Sequence, residues 1–233
     1  MPIRILSDDL INQISAGEVV ERPANIVKEL VENSIDSNAT KIEVFLRDGG
    51  LQSIIVNDNG YGIKETDLPI AILRYATSKL KNENLNEIQD FGFRGEALPA
   101  ISSISNMTIT SKIVNQSYAS SIEIERGEII NQKPSNREIG TTVEVVSLFE
   151  KVPARLKFLK TNRIEMSHCK DIFLKIALSH PNIEFKFNID GRNFYDFKTD
   201  ENNSFINHDR LVAAFGDEFL DNSLEINYKK NGY

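Results

Sequence analysis

The chain has 233 residues, 40% of them apolar, with 27 Lys and Arg against 34 Asp and Glu for a net charge of −7, and it carries three His, one Cys and no Trp. With a mean hydropathy of −0.29 and an isoelectric point of 5.1, it excludes a disordered or collagen-like chain, disfavours nucleic-acid binding by global charge while leaving room for a local basic patch, and predicts one full domain plus part of another. Lone Cys169 cannot close an internal disulfide, no run approaches the ~18 apolar residues of a membrane span, and the first residues lack a signal-peptide core, so a cytoplasmic setting without membrane contact is expected.

The first clear element opens at Pro23, suited to the first turn of a helix because its missing N–H has no intrahelical partner there. Ile26, Val27, Leu30 and Val31 follow at helical spacing, and Ser37-Asn38 closes the run. With Ile26 at 0° and ~100° per residue, Val27, Leu30 and Val31 fall at roughly 100°, 40° and 140°, and Glu29, Asn33 and Asp36 at roughly −60°, −20° and −80°. Three polar side chains thus flank the apolar stripe, while Lys28 and Glu32 point to solvent. A carboxylate and a carboxamide one turn apart can work jointly. Glu29 can take a proton from a water, and the Asn33 amide oxygen can join phosphate oxygens and waters around Mg²⁺, which prefers hard oxygen ligands. The same spacing also serves as a solvated polar flank.

Two β-branched runs, 41–47 and 52–57, are joined by the hairpin signal Asp48-Gly49-Gly50. Asp58-Asn59-Gly60-Tyr61-Gly62 ends the second run. A carboxylate at a strand end can accept a hydrogen bond from an exocyclic amine such as that of adenine, and the glycines let a flat ligand approach; a plain Asp-Asn-Gly turn reads the same way. A short helix is predicted over 67–76. Residues 77–91 form a polar stretch longer than ordinary connections, the kind used as functional lids. Gly92-Phe93-Arg94-Gly95 then leads into a helix over 97–103, where free N–H groups and Arg94 suit an anion, as they would an ordinary loop-to-helix junction.

Strands are predicted at 107–113, 118–125, 128–132 and 141–146, the last preceded by Gly140. A helix over 163–179 follows, with Cys169, Ile172, Phe173 and Ile176 on one face, then strands at 183–189 and 193–197 around the Asp190-Gly191 turn. Polar residues 199–204 predict a linker. One helix at 208–215 and a short strand at 224–227 are too little for a core of their own, so the chain is expected to stop inside a second domain. It has no Gly-x-x-x-x-Gly-Lys-Ser/Thr loop, and His168, His180 and His208 lack paired ligand spacing, so P-loop, zinc and thiol chemistry are not expected.

In order, Glu29-x-x-x-Asn33, Asp58-x-Gly60-x-Gly62, the long loop ending in Gly92-Phe93-Arg94-Gly95-Glu96-Ala97-Leu98, and Gly140-Thr141-Thr142 resemble the four motifs of the GHKL ATPases. This superfamily includes gyrase, a heat-shock chaperone, sensor histidine kinases and the MutL mismatch-repair proteins. The flanking residues choose among them. The run from Asn12 to Pro23, Val27-Lys28-Glu29-Leu30-Val31-Glu32-Asn33-Ser34, Ala76-Thr77-Ser78-Lys79 and Gly92 to Leu98 resemble the MutL family almost letter for letter, and disfavour a topoisomerase subunit. Three departures stand out. Pro99 replaces a small residue, Glu150-Lys151-Val152 interrupts the usual run before Pro153-Ala154-Arg155, and the family continues well beyond Tyr233.

The resemblance implies an α+β fold, an α/β sandwich with helices layered on a mixed sheet. It divides the chain into an ATPase domain over 1–198, with an N-terminal arm at 1–20 and an ATP lid at 77–95, a linker at 199–204, and the start of a transducer-like second domain at 205–233. Position by position, it assigns Glu29 as the water-activating base, Asn33 as the Mg²⁺ ligand, Asp58 as the adenine-recognising carboxylate, Gly60 and Gly62 as the turn beneath the base, and Thr142 as the strand residue near adenine. Thr77, Ser78 and Lys79, with Gly92, Phe93, Arg94, Gly95, Glu96, Ala97 and Leu98, match the lid and its phosphate-facing end; Asp36 matches a motif position of less definite role. ATP and Mg²⁺ are the implied cofactors. ATP-driven ordering of lid and arm implies a homodimer that couples a MutS-type mismatch recognition protein to a downstream nuclease or helicase, with DNA contacts mainly in residues beyond this chain. A γ-phosphate lysine is also expected beyond Tyr233, so slow turnover is implied. The alternative is a nucleotide-gated interaction module with little hydrolysis.

Overall fold

The computed structural model describes residues 16–79, 95–150, 152–199, 208–224 and 226. Helix α1 spans Pro23–Asp36, with Pro23 in its first turn and the Arg22 N–H bound to Asn25 Oδ1 at 3.1 Å. Strands β1 (Lys41–Arg47) and β2 (Ser53–Asp58) form the expected hairpin. Helix α2 (Ala97–Ser103) precedes β3 (Asn106–Lys112), β4 (Ala119–Glu125), β5 (Glu128–Ser135) and β6 (Gly140–Val146). Then follow α3 (Pro153–Leu156), α4 (Asn162–Ser179), β7 (Glu184–Ile189), β8 (Arg192–Phe197), α5 (His208–Phe215) and α6 (Glu218–Asp221).

The eight strands make one sheet in the order β5-β4-β3-β6-β2-β1-β7-β8. Every neighbouring pair is antiparallel except β1 and β7, which run parallel from Lys41↔Glu184 to Leu46↔Ile189. The sheet is therefore mixed. Side chains alternate across it, so Ile42, Val44 and Leu46 of β1, Ile54 and Val56 of β2, and Phe185 and Phe187 of β7 enter the core. Ile26, Val27, Leu30 and Val31 bury the apolar stripe of α1 against that face. Each such side chain taken from water contributes about 1.5–3 kcal/mol. Helix α4 packs beside α1 and inserts Phe173 between strands and helices, 4.5 Å from the Phe187 ring and 5.7 Å, edge-on, from Phe185. The opposite face carries polar residues, among them the ion pairs Lys41–Glu43 and Lys198–Glu184. One layer of helices on a mixed sheet is the α/β sandwich expected.

Two predicted elements differ. No α-helix covers 67–76; a single 3-10 turn forms at Ile70–Ile72. Pro69 removes one N–H, Ile70 and Leu73 are exposed, and the backbone bonds mix three- and four-residue spans before Tyr75 turns into the left-handed region at φ 63°. Leu224 and Ile226 belong to no strand, and residues 225 and 227 lie outside the described part. So do most of the arm, 80–94 of the lid and 200–204 of the linker.

The last described helices hold to the sandwich through Arg210. Its side chain is buried, and its guanidinium donates to the carbonyls of Ala177, His180, Ile183 and Lys198 while lying 5.6 and 5.5 Å from the Phe185 and Phe197 rings. No described helix is long and apolar enough to cross a membrane.

Candidate functional site

Asp58 ends β2 at the centre of the sheet, with only 8% of its surface exposed. Its Oδ1 accepts the Gly60 N–H at 2.9 Å and the Thr141 N–H at 3.1 Å, and its Oδ2 accepts the Ser34 hydroxyl at 2.9 Å. Burial raises its pKa above the ordinary value, against the lowering effect of these donors and of the Arg137 charge. A buried carboxylate gripped by three donors is fixed in direction, and its remaining lone pairs are available to an amine. Gly62 follows with φ +78°; a Cβ there would stand 2.2 Å from the Lys112 carbonyl oxygen, so the turn needs glycine.

Helix α1 carries the other predicted polar groups. Lys28 Nζ bridges Glu29 Oε1 at 3.2 Å and Glu32 Oε2 at 2.9 Å, which restrains the Glu29 carboxylate on its flank. Burial pushes the Lys28 pKa down, but the two carboxylates outweigh it and the net direction is up. Lys28 and Glu32 therefore pair with each other instead of simply facing solvent. One turn on, Asn33 Oδ1 accepts from Lys79 Nζ at 2.8 Å, and Asp36 Oδ2 lies 2.5 Å from the same ammonium. A carbonyl and a carboxylate oxygen converging on a cation are the donors a hard divalent ion accepts, so the residues fit Mg²⁺. Lys79 is itself placed by its N–H, which bonds Thr77 Oγ1 at 3.2 Å; Ser78 beside it is exposed.

The lid's described ends meet. The Tyr75 N–H donates to Gly95 O at 3.1 Å, and Gly95, at φ +61°, lies so close to Ala76 that a Cβ would stand 2.4 Å from its carbonyl oxygen. Glu96 occupies the N-cap position of α2 without a side-chain cap bond; Ala97 and Leu98 are half-buried, and Pro99 occupies the third position without breaking the helix. Gly92, Phe93 and Arg94 lie outside the described residues.

The expectation for Thr142 is corrected. Its hydroxyl bonds Asn57 Oδ1 at 2.8 Å and Arg137 Nη1 at 2.9 Å on the sheet face away from α1. Thr141 takes the place beside Asp58, and its hydroxyl bonds Ser111 Oγ at 2.9 Å. Strand alternation allows only one of the two on the helix side. Ser34 and Ser111 were also missed as site residues; Ser34 falls at roughly 80° on the wheel used above, a polar residue in the middle of the apolar stripe.

Other motif residues are structural. Cys169 is buried on α4, and burial pushes its thiol up to about 12, with the Glu165 charge adding to the rise. His180 Nδ1 lies 2.9 Å from the Ile176 carbonyl oxygen at the end of α4. Arg155, in the run that departs from its usual form, rests on Gly17 and donates to Val20 O at 3.3 Å, while its guanidinium lies 5.9 Å from the Phe149 ring. The described end of the arm, with Ala16 and Val20 buried, is thereby tied to α3.

Comparison with known proteins agrees with this geometry. Residues 21–153 match the family described as histidine kinase-, DNA gyrase B- and HSP90-like ATPase. The DNA mismatch repair protein MutL of Neisseria meningitidis is 44% identical over 225 residues, which are 96% of this chain and 33% of the relative; that of Mesorhizobium japonicum is 44% identical over 232 residues, 100% and 37% respectively. The chain thus spans about a third of the length of the curated relatives it matches. Among solved structures, the Aquifex aeolicus MutL ATPase domain complexed with ADP superposes with a TM-score of 0.69 at 32% identity, covering 84% of this chain and 70% of that one. The N-terminal domain of a DNA repair protein superposes at 0.73 with 30% identity, covering 89% and 60%.

Proposed function

Because the chain belongs to the histidine kinase-, DNA gyrase B- and HSP90-like ATPase family, in its MutL branch, we propose that it binds ATP with Mg²⁺ and hydrolyses it as the N-terminal part of a DNA mismatch repair protein. The observation that carries this reading is the buried Asp58 carboxylate, held by Ser34, Gly60 and Thr141 beside the helix that presents Glu29 and Asn33.

Asp58 accepts the exocyclic amine of adenine, and the turn through Gly60 and Gly62 leaves room for the base. Asn33 Oδ1, with phosphate oxygens and waters, would hold the Mg²⁺, which supplies charge neutralisation on the triphosphate when bound. Glu29 accepts a proton from water as that water's oxygen bonds to the γ-phosphorus; the bond from phosphorus to the β,γ-bridging oxygen breaks, and ADP leaves with that electron pair. The same reading divides the chain into an ATPase domain to residue 198, a linker over 199–204 and the start of a second, transducer-like domain over 205–233. Two copies associate through residues 1–20 when ATP is bound, and the dimer couples a MutS-type partner to a nuclease or helicase acting on DNA in the cytoplasm.

Calorimetric titration of ATP with Mg²⁺ tests the core of the reading. Wild type and Glu29→Gln should bind alike, and only wild type should turn over; absence of ATP binding by the wild type refutes it.

A further inference from the structure

Lys79 makes a contact that the ATP-binding reading does not use. Its ammonium lies 2.8 Å from Asn33 Oδ1 and 2.5 Å from Asp36 Oδ2, with the Lys79 and Asp36 side chains only 15% and 5% exposed. A surface lysine would leave its charge in water; this one is drawn inward to the carbonyl oxygen assigned to the metal. An ammonium has three donors and no acceptor, so it satisfies converging oxygens as a compact cation does. It cannot share them with a divalent ion, because two cations would then stand within a few ångströms of each other in a half-buried site.

We propose that Lys79 is an internal counter-cation for the Asn33 and Asp36 oxygens and exchanges there with Mg²⁺. The inference rests on the ATP-binding reading above and deepens it, by naming what holds Asn33 and Asp36 before the metal arrives. Lys79 keeps the Asn33 amide turned with its oxygen inward and screens the Asp36 carboxylate. Mg²⁺ entering with a nucleotide displaces the ammonium, which swings away on its four-carbon stem and leaves Asn33 already oriented. No bond to Lys79 is made or broken; the step is an exchange of one cation for another.

The exchange predicts a coupling that a purely structural lysine would not show. For the whole chain, the affinity for a non-hydrolysable β,γ-imido ATP analogue is measured by calorimetry in excess Mg²⁺ and in EDTA, and the ratio of the two is taken. Lys79→Met removes the competitor, so the ratio should rise about tenfold, equivalent to about 1.4 kcal/mol of coupling. Lys79→Arg retains a cation and should leave the ratio near wild type. A Lys79→Met ratio equal to or below wild type overturns the proposal, because a lysine that only braces the fold weakens both affinities alike. If Lys79→Met does not fold, the Lys79→Gln ratio is read by the same criterion. Wild type that binds the analogue while the variants keep its ratio refutes the exchange alone; wild type that binds no analogue refutes the nucleotide reading and the exchange with it.

Discussion

Replacing Asp58 by Asn separates recognition from folding. In the wild type, Oδ1 receives the Gly60 and Thr141 N–H groups, and Ser34 Oγ lies within bonding distance of both Oδ2 and the Leu30 carbonyl oxygen, at 2.9 and 3.1 Å. An asparagine keeps the amide oxygen toward the two N–H groups and donates from Nδ2 to Ser34 Oγ, whose own hydrogen then goes wholly to Leu30. Every partner stays satisfied. Stability follows from the sign of the pKa shift: burial, the largest cause, raises the carboxyl above 3.8, so the fold favours the protonated form and ionisation costs stability as pH rises from the ordinary value through the raised one. The neutral amide escapes that cost, so at pH 7 the thermal midpoint of Asp58→Asn should equal or exceed wild type. Nucleotide affinity should move the other way. A hydrogen bond to a charged group contributes about 1.5–3 kcal/mol, so losing an ionised acceptor for adenine should weaken ATP about 10- to 150-fold. Differential scanning calorimetry and titration calorimetry read the two effects on one preparation. Affinity within about twofold of wild type would show that Asp58 does not touch the base, and a midpoint lowered by many degrees would show that the three donors require the charge.

Wild-type ATP affinity should fall on acidification as Asp58 takes up its proton, at a pH above the carboxyl's ordinary 3.8, whereas Asp58→Asn should lack that transition; parallel curves for the two proteins would refute the assignment. Glu29→Gln should lose about 10²–10⁴-fold in steady-state turnover with binding retained, and a loss under about tenfold removes Glu29 as the base. Gly62→Ala should cost at least about 2 kcal/mol in urea unfolding, from its left-handed conformation and the approach to the Lys112 carbonyl; a cost under about 1 kcal/mol contradicts the close contact. Cys169, with its thiol held up to about 12, should resist a disulfide reagent at pH 8 until the protein is unfolded, and fast native labelling would contradict its burial.

Local chemistry was the legible part of this chain. Pro23, the apolar stripe of α1 and Asp48-Gly49-Gly50 each announce an element because the cause lies within a few residues of the effect. Over 67–76 the chain forms one 3-10 turn in place of a helix, because Pro69 lies inside the run and removes an N–H. Thr141, rather than Thr142, shares the core-facing side of β6 with Val143 and Val145, because a one-residue slip in a strand flips the face. Ser34 was readable as a polar intruder on an apolar stripe, but its partner Asp58 was not, since nothing local says which strand end lies against that turn. The parallel pairing of β1 with β7, separated by some 140 residues of chain, has no local signature at all. Neither has the meeting of Lys79 with Asn33 and Asp36, which requires the chain after β2 to return over α1.

Arg210 makes the end of this sandwich a mechanical joint. One rigid, planar group on α5 grips the last turn of α4, the start of β7 and the end of β8, and lies near the Phe185 and Phe197 rings, which pair across β7 and β8. A pull or twist delivered to α5 is shared at once by a helix and a hairpin instead of being absorbed by a pliable connection. Since α4 lies against α1, the load has one helix to cross before it reaches the turn carrying Glu29 and Asn33. Leverage of this kind runs in both directions: whatever repositions α1 strains the joint, and whatever braces the joint stiffens α1.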